Sequence, residues 1–532
     1  MTQEKTIAAK INDGETYLGI EFGSTRIKAV LIDGEHAVLA SGGHNWENRL
    51  EGGFWTYTME DVFTGLQDAY AKLAAHVLDQ YGVPLTRVGA MGVSAMMHGY
   101  LAFDEKDTLL APFRTWRNTT TGQAADALSK RFGFNVPQRW SIAHLYQAML
   151  NQEDHVDSVA FLTTLAGYIH YRLTGEKVIG IGDGSGMFPI DSTKLSYDGA
   201  MLDSFQQLVN EQGYGWNISA VLPKLLPAGA AAGVLTLDGA KLIDPSGMLI
   251  AGVPFCPPEG DAGTGMVATN AVRQRTGNVS AGTSVFAMLV LEKSLSRYYT
   301  EVDMVTTPAG DPVAMVHCNN CTSDIDAWIR LFGEAATALG AEYDERTLYQ
   351  TMYKKALEGA PDCGGILTFN YLSGEPVTNL DEGRPLLFRK PDAAFTLANV
   401  MRAHLTSACA SLRIGMDILA AEHVELDAMT GHGGFFKAEA IGQKIMSAAL
   451  GTPVTVMATA AEGGAWGMAV LAAFLQRKAA GETLSDYLST RVFHCATSVT
   501  LSATDAEAAG FAAFMDAYKQ SLVVERAAVE VY

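Results

Sequence analysis

Two runs of strand-forming residues flank a short turn near the start of the chain. Residues 17–33 read YLGIEFGSTRIKAVLID, and the apolar pattern is broken by a Gly-Ser-Thr sequence at 23–25. Glycine permits a tight turn and hydroxyl side chains favour turn positions, so the pattern predicts a β-hairpin between two buried strands. An acid, Glu21, precedes this turn and a base, Lys28, follows it.

Longer stretches alternate between helical and strand-like patterns. Over residues 58–82, apolar residues recur at near-helical spacing behind a capping-box sequence, and the segment ends at a glycine, which predicts a helix. Short apolar runs predict interior strands at 88–93, 248–253 and 454–457. Strands interleaved with helices indicate a largely α/β fold.

The opening pattern recurs in the second half of the chain. Residues 278–290 read NVSAGTSVFAMLV, again two strand-like runs around a glycine and two hydroxyls, here at 282–284. Such turns can present backbone N–H groups to an anion, so the pair predicts two hairpins that hold one polyphosphate from both sides of a cleft. No GxxxxGK[ST] motif is present, and no strand-following GxGxxG with a downstream acid supports a dinucleotide site.

Size and charge narrow the class of protein. The chain has 532 residues, enough for two or three domains, and a net charge of −20, which argues against nucleic acid or an anionic membrane surface as partner. No segment approaches the roughly 20 apolar residues of a membrane span, and the first residues do not resemble a signal peptide, so we expect a cytoplasmic protein.

Cys318 and Cys321 form a closely spaced cysteine pair. A four-cysteine zinc site would need a second pair, whereas the other cysteines are scattered singly along the chain. We therefore expect buried thiols in a tight loop, with a redox role as the alternative.

Further motifs follow one another in a definite order. They are the EFGST turn with Lys28, FLTTLAGYIHYRLTGE at 161–176, DGSG at 183–186, YLSGE at 371–375, GHGG at 431–434 and EGGAWG at 462–467. Their order and spacing resemble the FGGY family of carbohydrate kinases, over residues from about 17 to about 475. Within that family the pattern is nearest to the xylulose kinases.

The resemblance implies an α/β fold of two actin-like (ribonuclease H-like) domains around a central cleft. The implied parts are an N-terminal tail at 1–15, a mainly sugar-binding domain at 16–264 and a mainly ATP-binding domain at 265–532. It also implies transfer of a phosphate from ATP, with Mg²⁺, to a sugar hydroxyl.

The implied ATP-binding residues lie in the two glycine turns and in the GHGG motif. Glu21 stands where the family usually has an aspartate and is expected to hold Mg²⁺, directly or through water; capping of the hairpin is the alternative. The ATP-binding residues predicted in this way are Gly23, Ser24, Thr25, Lys28, Gly282, Thr283, Ser284, Gly433 and Gly434.

An aspartate in the sequence PPEGDAGTG corresponds to the family's catalytic residue. This residue, Asp261, is predicted to be the general base that accepts the proton of the sugar hydroxyl, and also to contact the sugar. Taken without the resemblance, it would be read as a loop aspartate that caps the following helix. Glu259 is close enough in sequence to aid the metal, although a solvated surface position is expected for it.

The predicted sugar-binding residues are Met97, His98, Trp116, Arg117 and Asn118. The imidazole can donate to or accept from a hydroxyl, and an indole suits the C–H face of a sugar. The chain departs from the family pattern here, since Asn118 and a threonine at 120 replace an aspartate and an arginine, and GFWTY at 53–57 replaces G-W-x-E-Q. These departures leave the choice of sugar open.

The resemblance predicts a kinase of a ketopentose such as xylulose, or of a related sugar or polyol. The alternatives within the class are ribulose, a deoxyketose, a tetrulose or glycerol as substrate. A different class is a non-catalytic sugar sensor or an actin-type ATPase. A small-molecule substrate is the expected partner. A homodimer is expected only because homodimers are the commonest oligomers of soluble proteins.

Overall fold

Strands and helices alternate through the described residues of the computed structural model, which are 5–437, 440–457 and 463–531. The strands are β1 (Thr16–Phe22), β2 (Arg26–Asp33), β3 (Val38–Asn45), β4 (Arg49–Glu51), β5 (Phe54–Thr56), β6 (Ala90–Ala95), β7 (Leu101–Phe103), β8 (Phe161–Thr163), β9 (Val178–Gly180), β10 (Ile190–Asp191), β11 (Ser196–Tyr197), β12 (Lys224–Leu226), β13 (Glu259–Gly260), β14 (Thr276–Ala281), β15 (Val285–Val290), β16 (Asp303–Thr306), β17 (Pro312–Cys318), β18 (Ile366–Phe369), β19 (Leu386–Arg389), β20 (Ala428–His432), β21 (Val454–Met457) and β22 (Ser498–Leu501). The α-helices are α1 (Ile7–Asn12), α2 (Met59–Tyr81), α3 (Gly122–Phe132), α4 (Ser141–Leu150), α5 (Leu165–Thr174), α6 (Ile181–Gly184), α7 (Gly199–Glu211), α8 (Ile218–Val221), α9 (Leu237–Ile243), α10 (Asp261–Ala268), α11 (Ser323–Ala338), α12 (Glu345–Ala356), α13 (Leu397–Ser407), α14 (Ala410–Ala421), α15 (Ile441–Leu450), α16 (Gly463–Arg477), α17 (Leu484–Tyr487) and α18 (Asp505–Val531).

Two mixed sheets, one in each half of the chain, form the centre of the fold. The first has five strands in the order β13-β6-β1-β2-β3, and the second has seven in the order β16-β17-β15-β14-β20-β21-β22. Strands β1, β2 and β3 are successive antiparallel neighbours, and β6 runs parallel to β1. Strands β14, β15, β17 and β20 repeat this arrangement, which confirms the internal repeat and both predicted hairpins.

The longest predicted helix is confirmed with its caps. Helix α2 begins at a capping box formed by Thr58 and Asp61 and ends at Gly82, whose φ of 68° is left-handed. Its buried side chains, among them Leu66 and Leu73, lie on the face that packs against β2 and β3 of the first sheet. A long amphipathic segment with a capping signal at its start and a glycine at its end can therefore be identified as a helix from sequence alone.

The strand predicted at 248–253 is wrong. This segment is irregular, and before it reaches β13 the chain makes isolated bridges at Pro254, which is antiparallel, and at Phe255, which is parallel. Gly252 adopts a φ of 90°, and Pro254 has no backbone N–H to donate to a neighbouring strand. The strand predicted at 88–93 is confirmed as β6 with a shift of two residues, and the strand predicted at 454–457 is confirmed as β21 with the same bounds.

Helices α10 and α16 connect the two halves. Helix α16 comes from the second half of the chain but packs against β1, β2 and β6 of the first sheet, and against α10. A Cβ atom at Gly19 in β1 would lie 2.1 Å from the Ala465 carbonyl oxygen and 2.4 Å from the Ala469 nitrogen, so the backbones of strand and helix touch there. The boundary predicted after residue 264 lies within α10, which both halves share, and stays a prediction.

The segment expected to be an N-terminal tail contains a helix in its described part. Helix α1 is capped by the Thr6 hydroxyl, which accepts a hydrogen bond from the Ala9 amide. Ile11 is buried in the core beside β1 and β2. Part of residues 1–15 is therefore packed on the first domain.

The contact at Gly19 predicts a selective loss of stability. We expect Gly19→Ala to destabilise the protein by about 1–3 kcal/mol or more, because the new methyl overlaps helix backbone that cannot move aside like a side chain. Gly199→Ala is the matched control, since a Cβ at this first residue of α7 meets nothing within 4 Å. Thermal unfolding of both variants measures the difference. Equal unfolding midpoints would show that α16 does not rest on β1 in this way.

Candidate active site

A cleft of about 880 Å³ lies between the two halves and has walls from both. The predicted site residues that line it are Glu21, Ser24, Met97, His98, Trp116, Arg117, Asn118, Asp261 and Ser284. The remaining predicted residues, which belong to the two turns, to β2 and to the GHGG segment, are not among the lining residues. These are Gly23, Thr25, Lys28, Gly282, Thr283, Gly433 and Gly434.

Asp261 is the first residue of α10 and lies in the wall of the cleft. Its Oδ1 accepts hydrogen bonds from the backbone N–H of Met97, at 3.1 Å, and of Ala262, at 2.9 Å. Burial raises the pKa of this carboxyl above its ordinary value. The side chain therefore helps to start the helix and at the same time fixes the segment predicted to bind sugar.

Glu21 projects from the end of β1 toward the first turn of α16. Its Oε2 accepts a hydrogen bond of 3.2 Å from the Ala465 amide, and a Cβ at Gly464 would lie 2.1 Å from Oε1. Burial, and then the charge of Asp261, raise the pKa of Glu21 to about 7. Its carboxylate therefore lies at the N-terminus of α16, where a helix favours negative charge.

Two further carboxyls are buried behind Asp261. Glu259 accepts hydrogen bonds from the backbone N–H of Asp183, at 2.9 Å, and of Gly182, at 3.3 Å, and burial raises its pKa to about 8. Burial also raises the pKa of Asp183 to about 7, while its Oδ2 accepts a hydrogen bond of 2.6 Å from Thr164. The solvated surface position expected for Glu259 is therefore wrong, because its side chain is 1% exposed.

The sequence carries a weak signal for this buried glutamate. A Cβ at Gly180 would lie 2.3 Å from Glu259 Oε1, and one at Gly182 would lie 2.5 Å from Oε2. Two glycines therefore make room for the carboxylate from a segment far away in sequence. Without the fold, nothing connects them to residue 259.

The Met97–His98 segment forms a left-handed turn that places the imidazole in the cleft wall. His98 has a φ of 72° and Gly99 a φ of 94°. The Nδ1 atom of His98 lies 3.2 Å from the Gly186 carbonyl, so Nδ1 carries the proton and Nε2 is left as an acceptor. Burial, and then the charge of Arg139, hold the pKa of His98 well below its ordinary value, which keeps the ring neutral.

The Trp116–Asn118 segment forms another part of the wall. Trp116 donates from Nε1 to Ser24 Oγ at 3.2 Å, which connects the predicted sugar wall to the first hairpin turn. Arg117 stacks its guanidinium 4.1 Å from the Trp55 ring centroid. The Asn118 amide accepts a hydrogen bond of 2.8 Å from the Trp55 N–H and donates one of 2.9 Å to its carbonyl. Asn118 therefore fixes the position of residue 55, and its direct contact with sugar stays a prediction.

The first hairpin turn is held by aromatic residues through its carbonyl groups. Trp46 Nε1 donates to the Gly23 carbonyl at 2.7 Å, Tyr57 Oη donates to the Ser24 carbonyl at 2.6 Å, and the Trp46 amide donates to the Thr25 carbonyl at 3.2 Å. Within the described residues, the amides of Ser24 and Thr25 donate no hydrogen bond. Turn amides oriented in this way suit an anionic ligand.

The second hairpin turn repeats this arrangement. The Cys321 amide donates to the Thr283 carbonyl and the Thr322 amide donates to the Gly282 carbonyl, both at 3.0 Å. The amides of Thr283 and Ser284 have no acceptor in the part of the chain that the structure describes. Both turns therefore have carbonyls bound from behind and amides available for a ligand.

The GHGG segment lies next to the second turn. Gly433 has a φ of 104°, and a Cβ there would lie 2.3 Å from the Ala281 carbonyl oxygen, so only glycine fits against β14. Gly434 faces open space, with nothing within 4 Å of an added Cβ. The adenine contact predicted for these glycines stays a prediction, and Glu462 of the EGGAWG motif lies outside the described residues.

Sequence reasoning missed several residues that line the cleft, two of which lie in strands of the second sheet. Asp303 in β16 forms an ion pair with Arg139, and its Oδ1 accepts a hydrogen bond of 2.9 Å from Asn135. All three line the cleft, as does His317 in β17. No motif marks these positions, because the contacts join segments more than 160 residues apart.

Few side chains in the described residues are placed to hold a metal ion. The described residues contain no group of three or more histidine, cysteine, aspartate or glutamate side chains placed to hold an ion. Mg²⁺ that bridges phosphates uses one or two carboxylates and keeps several waters, so Glu21 in the cleft wall fits such an ion. Cys318 and Cys321 are buried free thiols, as expected, and burial raises the pKa of each.

Comparison with known proteins identifies the family. Residues 16–267 match the N-terminal domain of the FGGY family of carbohydrate kinases, and residues 277–475 match its C-terminal domain. The chain belongs to the FGGY family and is a sugar kinase, which confirms the resemblance and the expected actin-like fold. No helix in the described residues combines the length and the apolar character that a membrane span needs.

Individual relatives are distant in sequence. The chain is 23% identical to the xylulose kinase of Haemophilus influenzae over 423 residues, which are 76% of this chain and 79% of the relative. A ligand-bound xylulose kinase from Lactobacillus acidophilus has a TM-score of 0.77 at 16% identity and covers 95% of this chain and 97% of its own. A gluconate kinase from the same organism has a TM-score of 0.76 at 17% identity, with the same coverage of both chains. Kinases named for different sugars therefore share this fold equally well.

The buried carboxyls predict how stability depends on pH. Their pKa values, about 7 for Glu21 and Asp183 and about 8 for Glu259, lie above those of exposed acids, so in this range the folded state binds more protons than the unfolded chain. Their contribution is complete at low pH and is lost as pH rises through these folded values. Histidines with pKa values near 6.5 in the unfolded chain act in the opposite sense, mainly below this range.

We therefore expect the unfolding temperature of the ligand-free protein to fall between about pH 6.5 and 8. Glu259→Gln should flatten this dependence, since an amide of the same shape does not titrate. Thermal unfolding at constant ionic strength measures both slopes. A midpoint that rises with pH in the wild type, or equal slopes in both proteins, would contradict the assignment.

Proposed function

We propose that this sugar kinase transfers the γ-phosphoryl group of ATP to a hydroxyl of a ketopentose such as xylulose, with Asp261 as the general base. The observation that supports this most is the position of Asp261. Its carboxylate binds the Met97 amide, and its charge acts on the carboxylate of Glu21. The proposed base therefore lies between the residues predicted for sugar and those predicted for phosphate.

Asp261 is suited to accept the hydroxyl proton. Both of its backbone hydrogen bonds go to Oδ1, so we assign the proton of the sugar hydroxyl to Oδ2. Burial raises the pKa of this carboxyl, which makes it a stronger base than an exposed aspartate. After burial, the charge of Asp261 also raises the pKa values of Glu21 and Asp183, so the three carboxyls are electrostatically coupled.

The donor site would be formed by the two hairpin turns. ATP supplies the phosphoryl group, and phosphoryl transfer requires positioning and neutralisation of charge more than covalent chemistry from the protein. The amides of residues 24–25 and 283–284 would bind phosphate oxygens, and Glu21 would hold Mg²⁺, directly or through water. The adenine is assigned to the second half, beside Gly434.

The acceptor site would be formed by the first half. A neutral imidazole at His98 can accept a hydrogen bond from a sugar hydroxyl at Nε2, and Trp116, which is 38% exposed, offers an indole face. The similarity to xylulose kinases favours a ketopentose. Ribulose, a deoxyketose, a tetrulose or glycerol are the alternative substrates, because Asn118 departs from the family pattern at this wall.

Membership of a kinase family and the position of Asp261 disfavour a non-catalytic sensor or an actin-type ATPase. The cytoplasmic location and the homodimer stay predictions.

The proposed base is tested by replacing its carboxylate. We expect Asp261→Asn to lower turnover by about 10²–10⁴-fold, because an amide of the same shape cannot accept the proton. Sugar binding should change little. The measurement is coupled ADP release with ATP and Mg²⁺ across ketopentoses, tetruloses, sugar acids and polyols, with an ATP-only blank.

Asp198→Asn is the matched control for this experiment. Asp198 also starts a helix, α7, and its Oδ1 accepts the Met201 amide at 2.9 Å, but it does not line the cleft. This variant should keep wild-type turnover. If Asp261→Asn retains more than about a tenth of the wild-type rate, Asp261 is not the base. ADP release that no sugar or polyol stimulates would contradict the proposed reaction.

A further inference from the structure

The second hairpin turn is bound from behind by one short loop. Residues 319–322 connect β17 to α11, and their last two amides donate to the carbonyls of Thr283 and Gly282. The Thr322 hydroxyl also donates to the Gly282 carbonyl, at 2.9 Å. The position of this loop therefore determines how the turn presents its amides to the cleft.

A buried glutamate in turn binds the first half of that loop. Glu375, in the YLSGE motif, is fully buried. Its Oε1 accepts a hydrogen bond of 3.3 Å from the Asn319 amide, and Oε2 accepts the Asn320 amide at 3.3 Å and the Asn320 side-chain nitrogen at 3.2 Å. Among the described residues Glu375 forms no ion pair, so these three donors are what balance its charge.

Asparagine side chains complete the connection between the two loops. Asn319 Nδ2 donates to the Gly374 carbonyl at 2.8 Å. Asn320 Oδ1 accepts hydrogen bonds from the amides of Leu372, at 3.0 Å, and Ser373, at 3.1 Å. Each of the two loops, YLSGE and 319–322, thus donates hydrogen bonds to the other.

This connection ends at the cleft. Asn319 lines the cleft, as do Pro376 and Val377, which directly follow Glu375. Ser284 of the second turn lines the same wall region formed by the second half. A buried acid that forms no ion pair with any described residue therefore lies behind the wall that we assign to the donor phosphates.

We propose that Glu375 is a positioning residue for the donor nucleotide: it fixes the 319–322 loop and, through that loop, the Gly282–Ser284 turn. The inference rests on the proposed function, because it takes this turn to bind nucleotide phosphate. Glu375 does not touch the nucleotide itself. Its effect passes through backbone hydrogen bonds, from carboxylate to loop and from loop to turn.

A carboxylate is needed here because the three donors meet two acceptor oxygens. Glutamine of the same shape offers one acceptor oxygen and an NH₂ group. In either orientation this NH₂ faces an N–H donor of Asn319 or Asn320, and a buried donor is left without a partner. The loop must then move, and the turn moves with it.

The test compares Glu375→Gln with the wild type. We expect the dissociation constant for ADP and the KM for ATP to rise at least about tenfold, because the turn loses its orientation, while the KM for the sugar stays within about twofold. Calorimetric titration with ADP and steady-state kinetics give the two readouts. A purely structural role would lower the unfolding temperature without separating the two KM values.

The control is a second buried glutamate in the same half. Glu525 is also fully buried and accepts a backbone hydrogen bond of 2.6 Å, from Arg384, and among the described residues no hydrogen bond joins its side chain to the 319–322 loop. Glu525→Gln should therefore leave ADP binding unchanged. Should Glu375→Gln fail to fold, Asn320→Ala removes the side-chain part of the connection, which is the hydrogen bond to Glu375 Oε2 and those from the Leu372 and Ser373 amides, and is expected to weaken ADP binding in the same direction.

The outcomes separate this inference from the proposed function. ADP binding of wild-type strength in Glu375→Gln, or in Asn320→Ala where the former does not fold, overturns the role of Glu375 alone. If the wild type binds ADP but phosphorylates no sugar, and Glu375→Gln weakens that binding, the result supports Glu375 and overturns the proposed reaction. A wild type that binds no ADP overturns both.

Discussion

The contact between helix α16 and strand β1 is the constraint on which the candidate site depends. Gly19 and Glu21 are two residues apart in β1, so both face the helix. Gly19 lets the two backbones touch, and Glu21 reaches the amide of Ala465 in the first turn of α16. The longer side chain of glutamate, where the family usually has aspartate, has a physical use here, because it spans the distance to that amide.

This contact brings together groups that the chain keeps far apart. Residues 16–33 and 463–477 are far apart along the chain, yet their contact places the first hairpin turn beside α10 and Asp261. The second sheet then supplies the other wall. Two turns of similar construction, each with its carbonyls bound from behind, therefore face one cleft from different sheets.

Burial gives the cleft its electrostatic character. Burial raises the pKa values of Glu21, Asp183, Glu259 and Asp261, while His98 stays neutral. The acids lie in a protein that is strongly negative overall, so attraction by the whole molecule cannot hold an anionic nucleotide. Local amides, a metal ion and Lys28 are the groups that we expect to compensate.

Sequence alone predicted the parts of the fold that local pattern determines. The two hairpins follow from strand-like runs around turns of one glycine and two hydroxyl residues, and α2 follows from its caps and its apolar spacing. The strand expected at 248–253 failed because short apolar runs also occur in buried irregular chain.

The positions of other site residues depend on contacts that local pattern does not contain. Glu259 is polar and lies in a glycine-rich segment, and only two glycines near residue 181 show that it is buried. Asp303 and Arg139 meet across the two halves of the molecule, which no spacing along the chain reveals. Motif resemblance placed Asp261 and His98 in the cleft because family motifs reflect a shared three-dimensional fold, which the local sequence around each residue does not reveal.

The central claim is that one cleft holds sugar and nucleotide on opposite walls, so that binding both should draw the two halves together. Small-angle scattering measures this directly. With a non-hydrolysable ATP analogue and the preferred sugar, we expect a smaller radius of gyration than with neither ligand, because closure excludes water from the reacting groups. An unchanged radius, with binding of both ligands confirmed by calorimetry, would contradict the account.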